Sequence, residues 1–113
     1  MQQSEHHQAM QTLLAAVEAE MRALGLWSAM PPSPEDMSSV MPFMYDTLRL
    51  HQWLQWVFVP RTLALMEAGR PLPGNCHIHP LAEHEFARLA DVDTAHLLDL
   101  VQQVDALMNQ SPL

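Results

Sequence analysis

Apolar positions fall into three runs of helical period, separated by proline-rich breaks. In the first, from Ser4 to Leu24, Met10, Leu13, Leu14, Val17, Met21 and Leu24 recur at 3.6-residue spacing and line one face. Ser4 is placed to cap its start, and Gly25 to take positive φ just past its end. The second run, from Pro42 or Asp46 to Ala68, is apolar around most of its circumference. Leu50, Trp53, Leu54, Val57 and Phe58 span a broad arc, and Trp56, Val59 and Leu63 extend it, which leaves Arg49, Gln52 and Gln55 as the wet positions. A helix of that kind is interior and packed from at least two sides. A short helix is expected over Leu81–Ala90. Asp93 or Thr94 then caps a last helix to about Asn109, where Leu97, Leu98, Val101, Val104 and Met108 form a stripe widened by Leu100 and Leu107.

The breaks are "MPPSPEDMSSVMP", residues 30–42 with four prolines, and "GRPLPGNCHIHP", residues 69–80 with three. Proline lacks an amide donor and turns its preceding residue away from helix, so both read as loops. Within the first, Ser33-Pro34-Glu35-Asp36 has the order of a cap, a first-turn proline and first-turn acids, and predicts a short helical turn. Pro60 falls inside the second run. It removes the bond its own amide would give to the Trp56 carbonyl, which predicts a bend near Trp56–Pro60. Strand alternation is absent. The expected fold is all-α: a single domain over 1–113, a small antiparallel bundle of three long helices plus one or two short ones, with the central helix bent near Pro60.

Charge narrows the partners. Thirteen acids face five bases, for a formal charge of −8, and every base is an arginine: 22, 49, 61, 70 and 88. So few cations cannot neutralise a run of phosphates, which argues against direct nucleic-acid binding, and an anionic membrane surface would repel the chain. A basic protein or a cation is the charged partner that fits. Cys76 is the single cysteine and can form no internal disulfide, as in a reducing compartment. The start "MQQSEHHQAM" lacks a secretory pattern, and no apolar run, Trp56–Val59 included, is nearly long enough to span a bilayer. The expected location is cytoplasmic.

The run "MPFMYDTLRLHQWLQWVFVPR", followed by "LP" and "IHPLAEHEF", resembles the YqcC-like family of small bacterial helical proteins. The matching residues are Trp27-Ser28, Pro42-Phe43, Asp46-Thr47-Leu48, Trp53 to Phe58, Pro60-Arg61, Leu72-Pro73, and Pro80 with Glu83. The loop "GNCHIH" is less typical of it. The resemblance implies an all-helical fold over nearly the whole chain and no established activity. It also implies an association with tRNA pseudouridine synthase C, whose gene often lies beside those of the family. Such synthases need a catalytic aspartate in a β-rich domain, so the resemblance implies an auxiliary role and no cofactor.

Candidate chemistry is sparse. Cys76, His77, His79 and His84 offer zinc-type ligands within nine positions, but no C-x-x-C or H-x-x-x-H pair is present and the spacing fits no standard site. His6 and His7 are expected to be exposed. Glu18 with Glu20 and Glu83 with Glu85 sit two apart, on different helix faces. The indoles of Trp53 and Trp56, three residues apart, lie on neighbouring parts of one surface and read first as core. Asp46 reads first as an N-cap of the central helix, and in a sharper role as an ion-pair partner of Arg49 or Arg61.

Two functions follow. In the first, Asp46, Arg49, Trp53, Trp56 and Arg61 form the interaction site of a non-enzymatic accessory or adaptor protein, whose partner is tRNA pseudouridine synthase C or, given the surplus apolar surface, includes a second copy of the chain. In the second, a small-ligand or metal-dependent enzyme uses Asp46, Arg49, Arg61 and His51, or the Cys76–His79 loop.

Overall fold

The computed structural model of the protein describes residues 3–110. It is all-helical, with no strand among those residues. Helix α1 covers Gln3–Ala23, α2 Leu50–Trp53, α3 Val59–Glu67, α4 His79–Phe86 and α5 Ala95–Met108. A π-helical turn, Leu54–Phe58, joins α2 to α3. The loop after α1 carries two 3-10 turns, Asp36–Ser38 and Pro42–Met44.

One core gathers the apolar faces of all five helices. Met10, Leu14, Val17 and Met21 from α1 meet Leu97, Leu100, Val101, Val104 and Met108 from α5, and this is the most extensive helix pair. Leu50, Leu54, Val59 and Met66 enter from the central run, and Ala82 and Phe86 from α4, which packs on both α2 and α5. Burying side chains of this size contributes roughly 1.5–3 kcal/mol each, offset by the entropy of ordering the chain. Gly25 and Gly69 close α1 and α3 at φ 73° and 72°, and the next residues, Leu26 and Arg70, donate back to the carbonyls of Met21 and Leu65. A side chain would be strained at either φ.

Several expected placements change. Helix α1 already includes Gln3, so Ser4 does not cap it. His6 is fully buried rather than exposed, and its Nε2 contacts the Leu107 carbonyl; His7 is partly buried. His6 sits four residues before Met10, on the face that α5 covers. The central run begins at Leu50, not at Pro42 or Asp46, because Phe43 and Met44 take positive φ and break the helical path. Arg49 is the N-cap residue, and its amide donates to Gln52 Oε1 at 2.7 Å. Gln55, expected in water, is 5 % exposed. The short fourth helix starts at His79, with Pro80 in its first turn, and ends at Phe86, earlier than Ala90. Ser33 Oγ accepts from the Asp36 amide at 3.1 Å, as its position implied.

Candidate interaction site

The central run is not wrapped on all sides. Trp53, Trp56 and Phe58 remain half-buried, and Leu63 is exposed, since α3 meets α1 only lightly. The aromatic rings build a cluster here. Phe43 meets Trp53 edge-on at 4.8 Å between centroids, and Trp53 stacks with Phe58 at 5.4 Å. Such pairs add about 0.5–1.5 kcal/mol beyond the area they bury. Phe43 reaches Trp53 from a strained backbone: φ is 56° at Phe43 and 49° at Met44. Left-handed backbone costs roughly 1–2 kcal/mol per non-glycine residue, so the surrounding packing must hold it.

Beside this cluster lies an open groove of about 260 Å³. Trp53, Val57, Arg61 and Leu65, at four-residue intervals, form one wall. The loop from Pro73 to Ile78 forms the other, Phe43 takes part in the lining, and Met108 of α5 borders it. The π turn helps set this stripe. The Val59 amide donates to the Leu54 carbonyl, five residues back, so one extra residue enters the turn just before Pro60, whose missing amide needs no partner.

The loop wall is fixed from α5. Asn109 binds both backbone groups of Cys76, accepting from its amide at 2.6 Å and donating to its carbonyl at 2.9 Å. Asp105, only 9 % exposed, accepts from the amides of Ile78 at 3.0 Å and His79 at 2.8 Å and from the Cys76 thiol at 3.2 Å. The carboxylate thus satisfies amides at the start of α4, where helix polarity favours negative charge. Burial, and then the Asp105 carboxylate beside it, push the Cys76 thiol up to about 12. It therefore lacks the thiolate character of a nucleophile near neutral pH. Asp105 and Asn109 carry no motif, but Asp105 follows Val101 by four residues and so sits on the apolar stripe. A polar residue in that position is a signal in itself.

Gln55 does the same work on the other flank. Its Oε1 accepts from the Ser28 amide at 2.8 Å, and its Nε2 donates to the Ser28 carbonyl at 2.7 Å. This ties the loop after α1 to the π turn. The indole of Trp27, next to Ser28, lies under the Arg22 guanidinium at 5.2 Å.

The structure brings together only part of the expected set. Trp53 and Arg61 share the groove, and Trp56 and Arg61 line a shallower hollow beside it with Met44 and Pro60. Asp46 and Arg49 are exposed and line neither. Asp46 accepts from Ser39 Oγ, and no ion pair joins it to Arg49 or Arg61 among the described residues. The reason is the loop path: Asp46 lies in the turn before Arg49, outside the helix that would have set a three-residue pairing. His51 is partly buried, and burial together with the Arg49 cation lowers it from its ordinary value. The Cys76–His84 residues do not converge. His77 pairs with Asn75, His79 Nδ1 lies 3.3 Å from Glu83, and no cluster of three metal-ligating side chains forms among the described residues. The described helices include none long and apolar enough to cross a membrane.

Comparison with known proteins places these features in a family. A family model, DUF446, described as tRNA pseudouridine synthase C, matches residues 9–107. An uncharacterised protein of Haemophilus influenzae is 44 % identical over 84 residues, covering 72 % of this chain and 79 % of its own. The uncharacterised protein YqcC of Escherichia coli is 34 % identical over 102 residues, covering 89 % and 92 %. The solution NMR structure of E. coli YqcC superposes with a TM-score of 0.81 at 33 % identity, over 96 % of this chain and 92 % of that one. A protein of Pectobacterium carotovorum named tRNA pseudouridine synthase C shares 40 % identity over 57 residues, which is half of this chain but 15 % of that protein.

Proposed function

The chain belongs to the DUF446, YqcC-like family, and from that premise we propose that it is a non-catalytic accessory protein that binds tRNA pseudouridine synthase C. The observation that carries this reading is the Pectobacterium synthase, in which a stretch similar to this chain forms a small part of a much longer polypeptide. Joining two modules in one chain fixes them at high effective concentration, which is useful where they act together. A separate chain needs a binding surface to reach the same state.

The Phe43–Trp53–Phe58 groove with Arg61 supplies such a surface. Half-buried aromatics and an arginine around a hollow are the residue types that anchor protein partners. The formal charge of −8 suits a partner that carries the basic surface needed to hold tRNA, and it speeds their encounter. The protein works with that enzyme in the cytoplasm and leaves the tRNA and the chemistry to it. A catalytic reading has less support, because Asp46 and Arg49 lie outside the groove. In finer detail the fold is read as an antiparallel bundle with its central run bent near Pro60. The contact of His6 with Leu107 supports opposed α1 and α5, and the π turn before Pro60 supports the bend.

The test is direct. Purified protein and purified tRNA pseudouridine synthase C are mixed at physiological salt and followed by biolayer interferometry and size-exclusion chromatography. A saturable complex is expected. No complex with the active synthase, in the presence or absence of tRNA, overturns the proposal.

A further inference from the structure

We propose that the groove between the Trp53–Leu65 stripe and the Gly74–Ile78 loop takes a short apolar protein segment bearing one carboxylate, which pairs with Arg61. The inference rests on the reading that the protein binds a partner protein, and it names the chemistry of the contact. Size comes first. A volume of about 260 Å³ falls below the roughly 300–1,000 Å³ of pockets that hold whole small molecules, and suits one or two side chains of a longer segment. Composition comes second. Trp53, Phe58, Val57 and Leu65 offer apolar contact, so the inserted side chains are apolar.

Charge decides the rest. The chain has five cations, and two of them already hold acids close in sequence: Arg22 pairs with Glu18 on α1 at 2.9 Å, and Arg88, just past α4, with Glu85 at 3.2 Å. Arg61 has no carboxylate within ion-pair distance among the described residues. It borders the groove and two adjoining hollows, one beside Trp56 and Pro60 and one that runs past Ala64 and Ala68 to Arg70. An occupant lying along the stripe would partly desolvate the guanidinium, which makes an anionic partner there stronger than at an open surface. The thirteen acids elsewhere repel a second negative group, so the carboxylate also fixes the register. A polyanion such as RNA would meet that repulsion along its whole length, and this disfavours phosphate as the anion.

The probe is a library of random 12-residue peptides displayed on phage, panned against the full chain and against its R61Q and R61E variants. Arg61 is exposed, so both variants are expected to fold, and circular dichroism checks this before panning. Wild-type selections are expected to enrich Asp or Glu among apolar residues several-fold over the library. R61Q should keep the apolar preference and lose the acidic one, and R61E should turn it toward Lys or Arg. In the best wild-type binder, changing the acid to its amide should weaken binding about tenfold to wild type and hardly at all to R61Q. Peptides without acidic enrichment, indifference to R61E, or an oligouridine RNA that displaces the peptides each overturn the inference. The partner reading is judged apart from this. If the synthase binds wild type and R61E equally, the groove chemistry fails and the partnership stands. If the peptides behave as stated and the synthase does not bind, only the partnership fails.

Discussion

Gln55 grips Ser28 by both ends of its amide, donating to the carbonyl at 2.7 Å and accepting from the N–H at 2.8 Å. The pair spans 27 residues and joins the loop after α1 to the π turn of the central run. Gln55→Leu keeps the volume and removes both bonds, leaving two part-buried backbone groups unpaired. It should destabilise the fold by about 1–3 kcal/mol in urea denaturation. Gln52→Ala, which loses only a capping contact to the Arg49 amide, should cost roughly 0.5–1 kcal/mol. Equal costs for the two variants would show that the Gln55 clamp contributes nothing special.

Asp105 is the corresponding clamp on the opposite flank. It takes the amides of Ile78 and His79 and the thiol of Cys76. Asp105→Ala should cost about 2–4 kcal/mol, since buried amides lose a charged acceptor. Asp105→Asn should recover part of that, because one oxygen remains while the new NH₂ faces donors. The ordering Ala, then Asn, then wild type by thermal unfolding is the expected result, and an Asn variant as stable as wild type contradicts it.

The helices and their buried faces are legible in the sequence because burial writes a 3.6-residue period: Met10, Leu14, Val17 and Met21 on α1, and Leu97, Val101, Val104 and Met108 on α5, lie where the pattern puts them. Gln55 was not legible as a buried residue, since periodicity sorts polar from apolar and is blind to a distant backbone partner. His6 extends the α1 stripe by one turn, a hint outweighed by its place near the terminus. The start of the central helix is not legible in the sequence, because nothing in "MPFMYD" announces positive φ at Phe43 and Met44, where glycine is the usual choice. Asp46 consequently lost both its expected cap and its expected pairing. The groove itself comes from Trp53, Val57, Arg61 and Leu65 meeting a loop that α5 positions, and no local pattern specifies that meeting.

Met44 gives a test of the strained turn. At φ 49° a side chain clashes with its own backbone, and glycine does not. Met44→Gly should therefore be neutral or stabilising by up to about 1 kcal/mol, after the added entropy of the unfolded chain is counted. Most substitutions of a partly buried methionine lose stability, so a loss above about 2 kcal/mol in thermal unfolding would mean that packing, not strain, governs the site.

Cys76 should be chemically quiet and should mark the Asp105 contact. Its thiol ionises near 12 in the folded chain against an ordinary 9.0, so alkylation at pH 8 should run at least about a hundredfold slower in the folded protein than in urea. The raised value also sets a sign for stability. Between 9.0 and about 12 the unfolded chain releases a proton that the folded chain keeps, so this contribution is whole below 9.0 and is lost as pH rises through that interval. Cys76→Ser should flatten the alkaline slope of a pH-stability curve. Asp105→Asn should speed alkylation of the folded protein, because it takes away the negative charge that helps hold the thiol protonated.

His51 predicts the opposite arm of that curve. Burial first, and the Arg49 cation second, lower it below its ordinary 6.5, so the fold prefers the neutral ring. Above 6.5 both states are neutral and the residue adds no pH dependence. As pH falls below that value the unfolded chain gains a proton that the folded chain refuses, and stability drops until the folded ring is protonated as well. The chain holds six other histidines, so the measurable quantity is the difference between wild type and His51→Gln across pH 5 to 8. That difference should change only below about 6.5, with wild type losing stability faster toward acid. Arg49→Gln removes one of the two causes and leaves burial in place. It should shrink the difference without abolishing it, and a curve left unaltered by His51→Gln would show that the ring is as free in the fold as in the unfolded chain.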